Sequence, residues 1–386
     1  MTLINTQNAL QEYCARLARA EIVFLDTEFL RETTYYPLLC LIQAKIPGEG
    51  EEPVAIDALA DIDLAPLWDA LRRKTLLKVF HAARQDLEII LTEMGEIPTP
   101  LFDTQIAASV LGFGEQAGFE ALVRGLLHHQ LDKGSQFTDW SRRPLSTRQM
   151  AYALDDVRYL EPVCEKIAAL LADKGRDDWV RPDFEALANP GLYRTEPMEA
   201  WKRLKIKSDR PKDLAVLREL AAWREREAQN RNVPRGRILK DDPLVEMALH
   251  HPRTPEELTN IRGIDKGMAK NRMGQGVLDA VARGLACPED QAPVQPRKKP
   301  LNDEQDMLLD VLKLLVRLRA REIGVAPRLL ATSDDLDHLA RQGLAGSALE
   351  TGWRYDVLGQ ELAEGRLYQL RPDLKNHRVR IETPEQ

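Results

Sequence analysis

With 386 residues, of which 44% are hydrophobic and 30% charged, the chain exceeds what one hydrophobic core usually serves, so we expect two or three globular domains. The composition excludes a largely disordered protein, and no apolar run or signal-peptide pattern predicts a membrane segment or secretion. Four widely separated cysteines exclude a zinc cage or a disulfide framework, which favours a cytoplasmic location.

Charge is distributed unevenly along the chain. The formal net charge of −7 argues against a protein that coats nucleic acid by bulk electrostatics. Residues 201–272 nevertheless contain 18 Lys and Arg against 11 Asp and Glu. This pattern suits a protein that binds metal with carboxylates and nucleic acid with a separate basic module.

The first half of the sequence predicts an α/β domain. Helical spacing predicts a helix at 6–19, and the apolar run at 22–25 predicts a buried central strand that ends at Asp26. Strands at 38–44 and 54–56, separated by a Pro-Gly-Glu-Gly turn, complete a predicted antiparallel meander. Beyond them the pattern predicts a helix at 64–73, a strand at 77–80, a helix at 83–94 and further helices to about residue 174.

The second half of the sequence predicts helices only. Residues 190–197 are typical of a linker, and we find no convincing strand after residue 211. The predicted helices, several with Asp or Thr caps, cover residues 212–230, 242–250, 254–260, 265–282 and 308–323. Segments 223–248 and 316–340 share a basic helix, a Val-Pro or Val-Ala-Pro turn and an Asp-opened helix, which indicates two diverged copies of one small domain.

Four acidic residues and a tyrosine are the candidate catalytic residues. Asp26 and Glu28 are two residues apart at a strand end, so both side chains project to one side of the sheet. Asp86 lies in the first turns of a helix, and Asp156 shares a helical face with Tyr152. Such oxygen ligands suit a two-magnesium phosphodiesterase site in which Tyr152 orients, or deprotonates, the attacking water. Taken singly, each acid also fits an exposed charge or a helix-start residue, and spacing alone leaves that alternative open.

A family resemblance favours the catalytic interpretation. The stretches DTEFLRETTYYPLLCLIQ, HAARQDLE, FDTQIAA and LDKGSQFTDWSRRPLSTRQMAYALDDVRYL, within about residues 20–165, resemble in content and order the ribonuclease D family of the DEDD exonuclease superfamily. The resemblance implies a ribonuclease H-like mixed-sheet fold, and it implies that the four acids bind two divalent ions, Mg²⁺ or Mn²⁺. It also implies that Tyr152 is the residue that defines the tyrosine branch, since Ala151 stands where the other branch has histidine.

Three further polar residues lie in or beside these motifs. Asp155 is three residues from Tyr152, whereas the family spacing of Tyr-x-x-x-Asp selects Asp156, so we interpret Asp155 as a solvated neighbour. Asp103 fits a helix N-cap that could still support the site. His81, at a strand end, fits a packing or supporting role better than metal ligation.

Residues 211–285 resemble the helical HRDC domain that RecQ-type helicases share with ribonuclease D. The resemblance includes Trp223, Arg224 and the Ile-Arg-Gly sequence at 261–263. It implies contact with nucleic acid, although small helical domains also serve as protein-docking modules or spacers. No GxxxxGK[ST] motif occurs, so we expect no ATP hydrolysis.

These observations predict an exonuclease domain at 1–190, an HRDC-like domain at 205–287, a linker at 288–300 and a second, diverged HRDC-like domain at 301–386. The resemblance implies a metal-dependent 3'-5' exoribonuclease that trims single-stranded 3' ends of tRNA precursors and other RNAs and releases nucleoside 5'-monophosphates. We expect it to act as a monomer. A DNA 3'-5' exonuclease of the same superfamily and a non-catalytic RNA-binding protein are the alternatives.

Overall fold

A computed structural model of the chain describes residues 2–48, 50–132, 134, 138–295, 299–365, 369–373 and 378–382. The first half contains a sheet with helices on both faces. Its strands are β1 Thr2–Ile4, β2 Ile22–Leu30, β3 Leu38–Lys45, β4 Val54–Asp57, β5 Leu77–Phe80 and β6 Leu101–Asp103. Its helices are α1 Gln7–Leu17, α2 Ala65–Leu71, α3 Arg84–Met94, α4 Thr104–Ser109, α5 Phe119–Leu127, α6 Thr147–Lys174 and α7 Asp177–Leu187.

The six strands form one mixed sheet in the order β1-β4-β3-β2-β5-β6. β2, β3 and β4 form the predicted antiparallel meander, whereas β1, β5 and β6 pair in parallel with their neighbours. The sequence pattern misses β1 and β6 because strands of three residues are too short for alternation to be visible. The mixed sheet confirms the α/β class and the sheet type expected from the resemblance.

Strand β2 is longer than its apolar run predicts. It continues through Asp26 and Glu28 to Leu30, and this extension pairs with β3 throughout, with a register shift between Glu28 and Phe29. Pairing with β3 supplies the backbone hydrogen bonds that outweigh the polarity of the two acids. The prediction of a strand end at Asp26 is therefore wrong, and both carboxylates are carried by a rigid interior strand.

Helices cover the two faces of the sheet. Helices α1, α2 and α3 pack on one face in the largest hydrophobic core, to which Leu10, Leu67 and Leu87 belong. Helix α6 packs on the other face, where Ala153 and Val157 lie in hydrophobic clusters with residues of β2, β3, β4 and β5. A Ser-x-x-Gln capping box starts α6, which makes this long helix a fixed part of the domain.

The second half of the chain is helical up to residue 365 within its described part. Its helices are α8 Pro211–Arg231, α9 Arg235–Ile238, α10 Asp241–His250, α11 Pro255–Leu258, α12 Lys266–Lys270, α13 Arg272–Ala286, α14 Asp303–Ile323, α15 Pro327–Leu330, α16 Ser333–Gln342, α17 Gly352–Arg354 and α18 Gln360–Ala363. The succession α8-α9-α10 is repeated by α14-α15-α16, and each succession has its own hydrophobic core. Among the described residues, no helix is both long enough and apolar enough to cross a membrane.

Two predictions for this half are corrected. The single helix predicted at 265–282 is two helices, because Asn271 adopts an extended backbone and its side chain accepts hydrogen bonds from the N–H groups of Met273 and Gly274. The prediction of no strand after residue 211 is wrong. Strands β7 Gln369–Asp373 and β8 Arg378–Glu382 pair antiparallel, and the alternation Arg-Val-Arg-Ile-Glu in β8 was the available signal.

Candidate active site

Three of the four predicted metal ligands meet in the interior of the sheet. Asp26, Glu28 and Asp156 each offer a carboxylate oxygen, and these oxygens lie within 4.8 Å of one another. β2 supplies the first two from positions on the same side of the strand, and α6, packed over that side, supplies the third. Converging carboxylate oxygens of this kind can bind a hard divalent cation.

The electrostatics of this acidic cluster favour a cation. Burial, followed by the charge of Asp156, raises the pKa of Asp26 well above its ordinary value. Burial and the charge of Asp26 raise the pKa of Glu28 to about 10, and burial and the charge of Asp155 raise the pKa of Asp156 to about 7. A bound divalent ion offsets both the lost hydration and the mutual repulsion of these groups.

Asp86 lies beside the acidic cluster rather than within its 4.8 Å group. It is buried in the first turn of α3, and burial and the charge of Asp26 raise its pKa. The hydroxyl of Thr27 donates a hydrogen bond to its Oδ1. The structure thus places Asp86 next to β2, where Thr27, the residue between Asp26 and Glu28, holds its carboxylate.

Tyr152 is attached to the cluster through Asp156. Its hydroxyl donates a hydrogen bond to the Asp156 carboxylate, and its ring lies 6.1 Å, between centroids, from that of the buried Trp140. Burial and the charge of Asp156 raise the pKa of Tyr152 above its ordinary value. The phenol is therefore protonated at neutral pH and can donate a hydrogen bond toward the acidic cluster.

The three neighbouring polar residues have distinct structural roles. Asp155 forms an ion pair with Arg158 and lies outside the cluster. Asp103 accepts hydrogen bonds from Ala82 N at 3.1 Å and Ala83 N at 2.8 Å while also capping α4, so it holds the turn that begins α3. The Nδ1 atom of His81 is 2.9 Å from Thr104 Oγ1, and burial lowers the pKa of its imidazole, which keeps the ring neutral.

Gln43 is a further buried polar residue that no sequence motif indicated. In the sheet it pairs with Asp26 across β2 and β3, so both side chains project to the same side. Gln43 is fully buried, and its amide has no hydrogen-bond partner among the described residues. An unpartnered buried amide costs about 1–3 kcal/mol. Its only signal in the sequence is a polar residue inside an otherwise apolar strand.

A cavity of about 200 Å³ opens beside Tyr152 and Asp156. Phe119 and Leu131 provide apolar walls, and the carboxylates Glu120, Asp132 and Asp155 also line it. The cavity offers an apolar surface next to the acidic cluster, where an aromatic ring of a substrate could pack.

Comparisons with known proteins find similarity in both halves of the chain. Residues 1–172 match the family model described as 3'-5' exonuclease, and residues 213–281 match the HRDC domain. The chain is 46% identical over 362 residues to Ribonuclease D of Nitrobacter hamburgensis, which covers 93% of this chain and 94% of that protein. It is 44% identical over 371 residues to Ribonuclease D of Zymomonas mobilis, covering 95% of this chain and 94% of that protein.

A solved structure is similar over almost the whole chain. The crystal structure of Escherichia coli RNase D, described as an exoribonuclease involved in structured RNA processing, superposes with a TM-score of 0.78 at 29% sequence identity. The match covers 94% of this chain and 97% of that one. The similarity therefore includes both the sheet domain and the helical half.

Proposed function

Because this chain belongs to the ribonuclease D family and is thus a 3'-5' exoribonuclease, we propose that Asp26, Glu28, Asp86 and Asp156 bind two divalent cations, Mg²⁺ or Mn²⁺, with Tyr152 orienting the attacking water. The reaction then releases nucleoside 5'-monophosphates one at a time from RNA 3' ends. The observation that carries this assignment is the convergence of three partly buried carboxylates within 4.8 Å.

The chain supplies a pre-formed site for this chemistry. Divalent ions, when bound, lower the pKa of a coordinated water and stabilise charge on the leaving oxygen. β2 holds Asp26 and Glu28 in fixed positions, and the Thr27 hydroxyl holds Asp86 beside them. Tyr152 keeps its proton and donates it in the hydrogen bond to Asp156, so its oxygen can accept a hydrogen bond from a water at one defined place. Groups oriented in this way lower the activation barrier more when a rigid site holds them than when a loop does.

The cavity beside Tyr152 is where we place the 3'-terminal nucleotide. Its Phe119 and Leu131 walls suit an unstacked base, and its lining includes two residues of the reaction site, Tyr152 and Asp156. A single-stranded end can enter it, whereas a paired base cannot unless its duplex opens first. This supports single-stranded 3' ends as the substrate.

We further assign the helical half to RNA binding. The predicted domains at 205–287 and 301–386, joined by the linker at 288–300, are supported by their separate cores and by the repeated order of helices. The excess of Lys and Arg in residues 201–272 suits contact with phosphates. Precursors of tRNA combine a folded body, which the helical half would bind, with a free 3' end, which the sheet domain would hydrolyse. We expect the enzyme to be monomeric and cytoplasmic.

A nucleotide-release assay tests the proposal. Purified protein with Mg²⁺ or Mn²⁺ should shorten a 5'-labelled single-stranded RNA from its 3' end and release 5'-monophosphates, and EDTA should stop the reaction. A DNA strand of the same sequence serves as the matched substrate. Faster degradation of the DNA would make this a DNA exonuclease, and no metal-dependent release from either strand would leave an RNA-binding protein.

A further inference from the structure

A second, larger cavity of about 670 Å³ lies between the two halves of the chain. It is lined by the turn after β2, one side of α3, the segment before Pro197, and helices α8 and α9. We call it the interdomain cleft. The side chain of Asn232 accepts hydrogen bonds from Tyr35 N at 3.1 Å and Tyr36 N at 2.9 Å, and the Tyr35 hydroxyl donates to Glu225. These contacts fix the walls of the cleft relative to each other.

Arginine dominates the charge of the interdomain cleft. Five arginines and two glutamates line it. Arg31 makes two hydrogen bonds to the Glu88 carboxylate, and Arg235 makes two to the buried Glu225. These two arginines are neutralised within the protein, so they shape the walls rather than attract a ligand.

The other three arginines of the interdomain cleft lie outside these two ion pairs. Arg84, Arg194 and Arg203 are exposed, and in the part of the chain that the structure describes none of them forms an ion pair. Glu196 also lines the cleft and the charge of Arg203 stabilises the ionised Glu225, but three guanidinium groups without an ion pair leave this concave surface positively charged. Such a surface suits an anion with several charges. Guanidinium matches the geometry of phosphate oxygens, which makes a phosphate chain the best-fitting occupant.

An exposed aromatic ring lies in the same cleft. Tyr36 is 39% exposed, and its ring meets that of Tyr35 edge to face with centroids 4.8 Å apart. The contact with Tyr35 orients the ring while leaving part of it open. Sites for single-stranded nucleic acid typically combine arginines, which contact the phosphates, with exposed aromatic rings, on which the bases stack.

The interdomain cleft and the acidic cluster are built from neighbouring residues of α3 and of β2 with its following turn. Arg84 precedes Asp86 by two residues in α3, and Arg31 follows Glu28 by three. We propose that the cleft binds the phosphodiester backbone of single-stranded RNA a few nucleotides 5' of the end being hydrolysed. The three free arginines contact phosphates, and Tyr36 stacks on a base. This inference rests on the proposed exoribonuclease function.

The experiment compares two triple variants that lose the same charge. The cleft variant is Arg84→Gln/Arg194→Gln/Arg203→Gln, and the control variant is Arg19→Gln/Arg181→Gln/Arg321→Gln, whose exposed arginines do not line the cleft. Affinity for a single-stranded RNA of roughly 12 nucleotides is measured over a salt series in EDTA, which withholds metal and prevents cleavage. The cleft variant should bind about 10- to 100-fold more weakly, and its slope of log affinity against log salt should fall by about 2, at about 0.7 per phosphate contact.

A single variant tests the stacking part separately. Tyr36→Ala should weaken binding of the same RNA about fivefold or more, with an unchanged salt slope, because it removes a ring and no charge. Thermal unfolding of each variant shows that the fold is retained. The activity of the parent protein, measured with metal, tests the proposed function independently of these affinities.

Two results would overturn the proposal. The first is a cleft variant with the affinity and salt slope of the control variant, since the three arginines then do not contact the RNA. The second is a cleft variant that binds the RNA as the parent does but has lost affinity for a nucleoside 5'-monophosphate, measured in the same buffer. That result would make the interdomain cleft a mononucleotide site.

Discussion

Asp26 and Glu28 are acids in the interior of a hydrophobic sheet, where burial and repulsion oppose their charge. A residue placed at such a cost is retained for its chemistry rather than for stability. Asp156 joins them from α6. Apolar side chains, not these acids, hold α6 against the sheet. This separation of packing from chemistry makes the site testable by single substitutions.

We expect Asp26→Asn and Asp156→Asn each to lower kcat by at least about 10³-fold, because each removes the charge of a proposed metal ligand, worth several kcal/mol. Without metal, both variants should be at least as stable as the parent, since each relieves like-charge repulsion. The measurements are turnover with Mg²⁺ and thermal unfolding in EDTA. The control is Asp155→Asn, which loses the same charge one residue away, and equal loss in the control would refute the assignment of Asp156.

We expect Tyr152→Phe to lower kcat by about 10²- to 10⁴-fold, the usual value of a positioned hydrogen-bonding or proton-transfer group. KM should change little, because the ring and its contact with Trp140 remain. Steady-state kinetics on a single-stranded RNA measure both constants. Unchanged kcat would show that the hydroxyl takes no part.

Close approach of two helices builds the first helical domain. A Cβ atom at Gly284 of α13 would lie 2.4 Å from the Val216 Cα and 2.8 Å from its N, both backbone atoms of α8. Backbone atoms inside a helix cannot move aside cheaply. Glycine is therefore required by the distance between helices rather than by a turn.

We expect Gly284→Ala to destabilise the protein by about 1–3 kcal/mol, the usual cost of overpacking. Gly125→Ala is the matched control, because Gly125 lies inside α5 with nothing within 4 Å of the added Cβ. It should be neutral or stabilise by up to about 1 kcal/mol, since alanine favours a helix. Urea unfolding measures both, and a Gly284→Ala variant as stable as the parent would contradict the close contact between α13 and α8.

A buried carboxylate of the helical half is hydrogen-bonded to the sheet domain. Glu225 in α8 is fully buried and accepts hydrogen bonds from Arg235 and from Tyr35, which lies in the turn after β2. Burial alone would raise the pKa of Glu225, but the hydrogen bonds from Arg235 and Tyr35 outweigh it and lower the pKa. The charged form is thus the one that connects the active-site strand to the helical half.

We expect Glu225→Gln to lower the free energy of unfolding by about 1–3 kcal/mol at neutral pH, the value of hydrogen bonds to a charged group. Because the folded pKa lies below the ordinary 4.5, the difference from the parent should be complete above that pH and shrink as the pH falls through the folded pKa. The control is Glu219→Gln, whose partner Arg283 is half exposed and which should cost less than about 1 kcal/mol. Urea unfolding across pH measures both; a pH-independent difference would contradict the ionised pair.

Features that depend on residues close together in the chain follow from the sequence alone. Strand alternation puts Asp26 and Glu28 on one side of the sheet, and the helical period puts Tyr152 and Asp156 on one face. The antiparallel meander and most of the helical second half follow from the same local patterns. Local periodicity failed at short or marginal elements: β1, β6, the break at Asn271 and the paired strands β7 and β8.

Contacts between residues far apart in the chain depend on the folded structure. Packing of α6 over β2 brings Asp156 within 4.8 Å of two acids about 130 residues earlier in the chain. The pairing of β2 with β3 places Gln43 beside Asp26, and the packing of the two halves encloses the interdomain cleft between α3 and α8. Register and helix packing depend on the complementarity of distant surfaces, which no local pattern encodes.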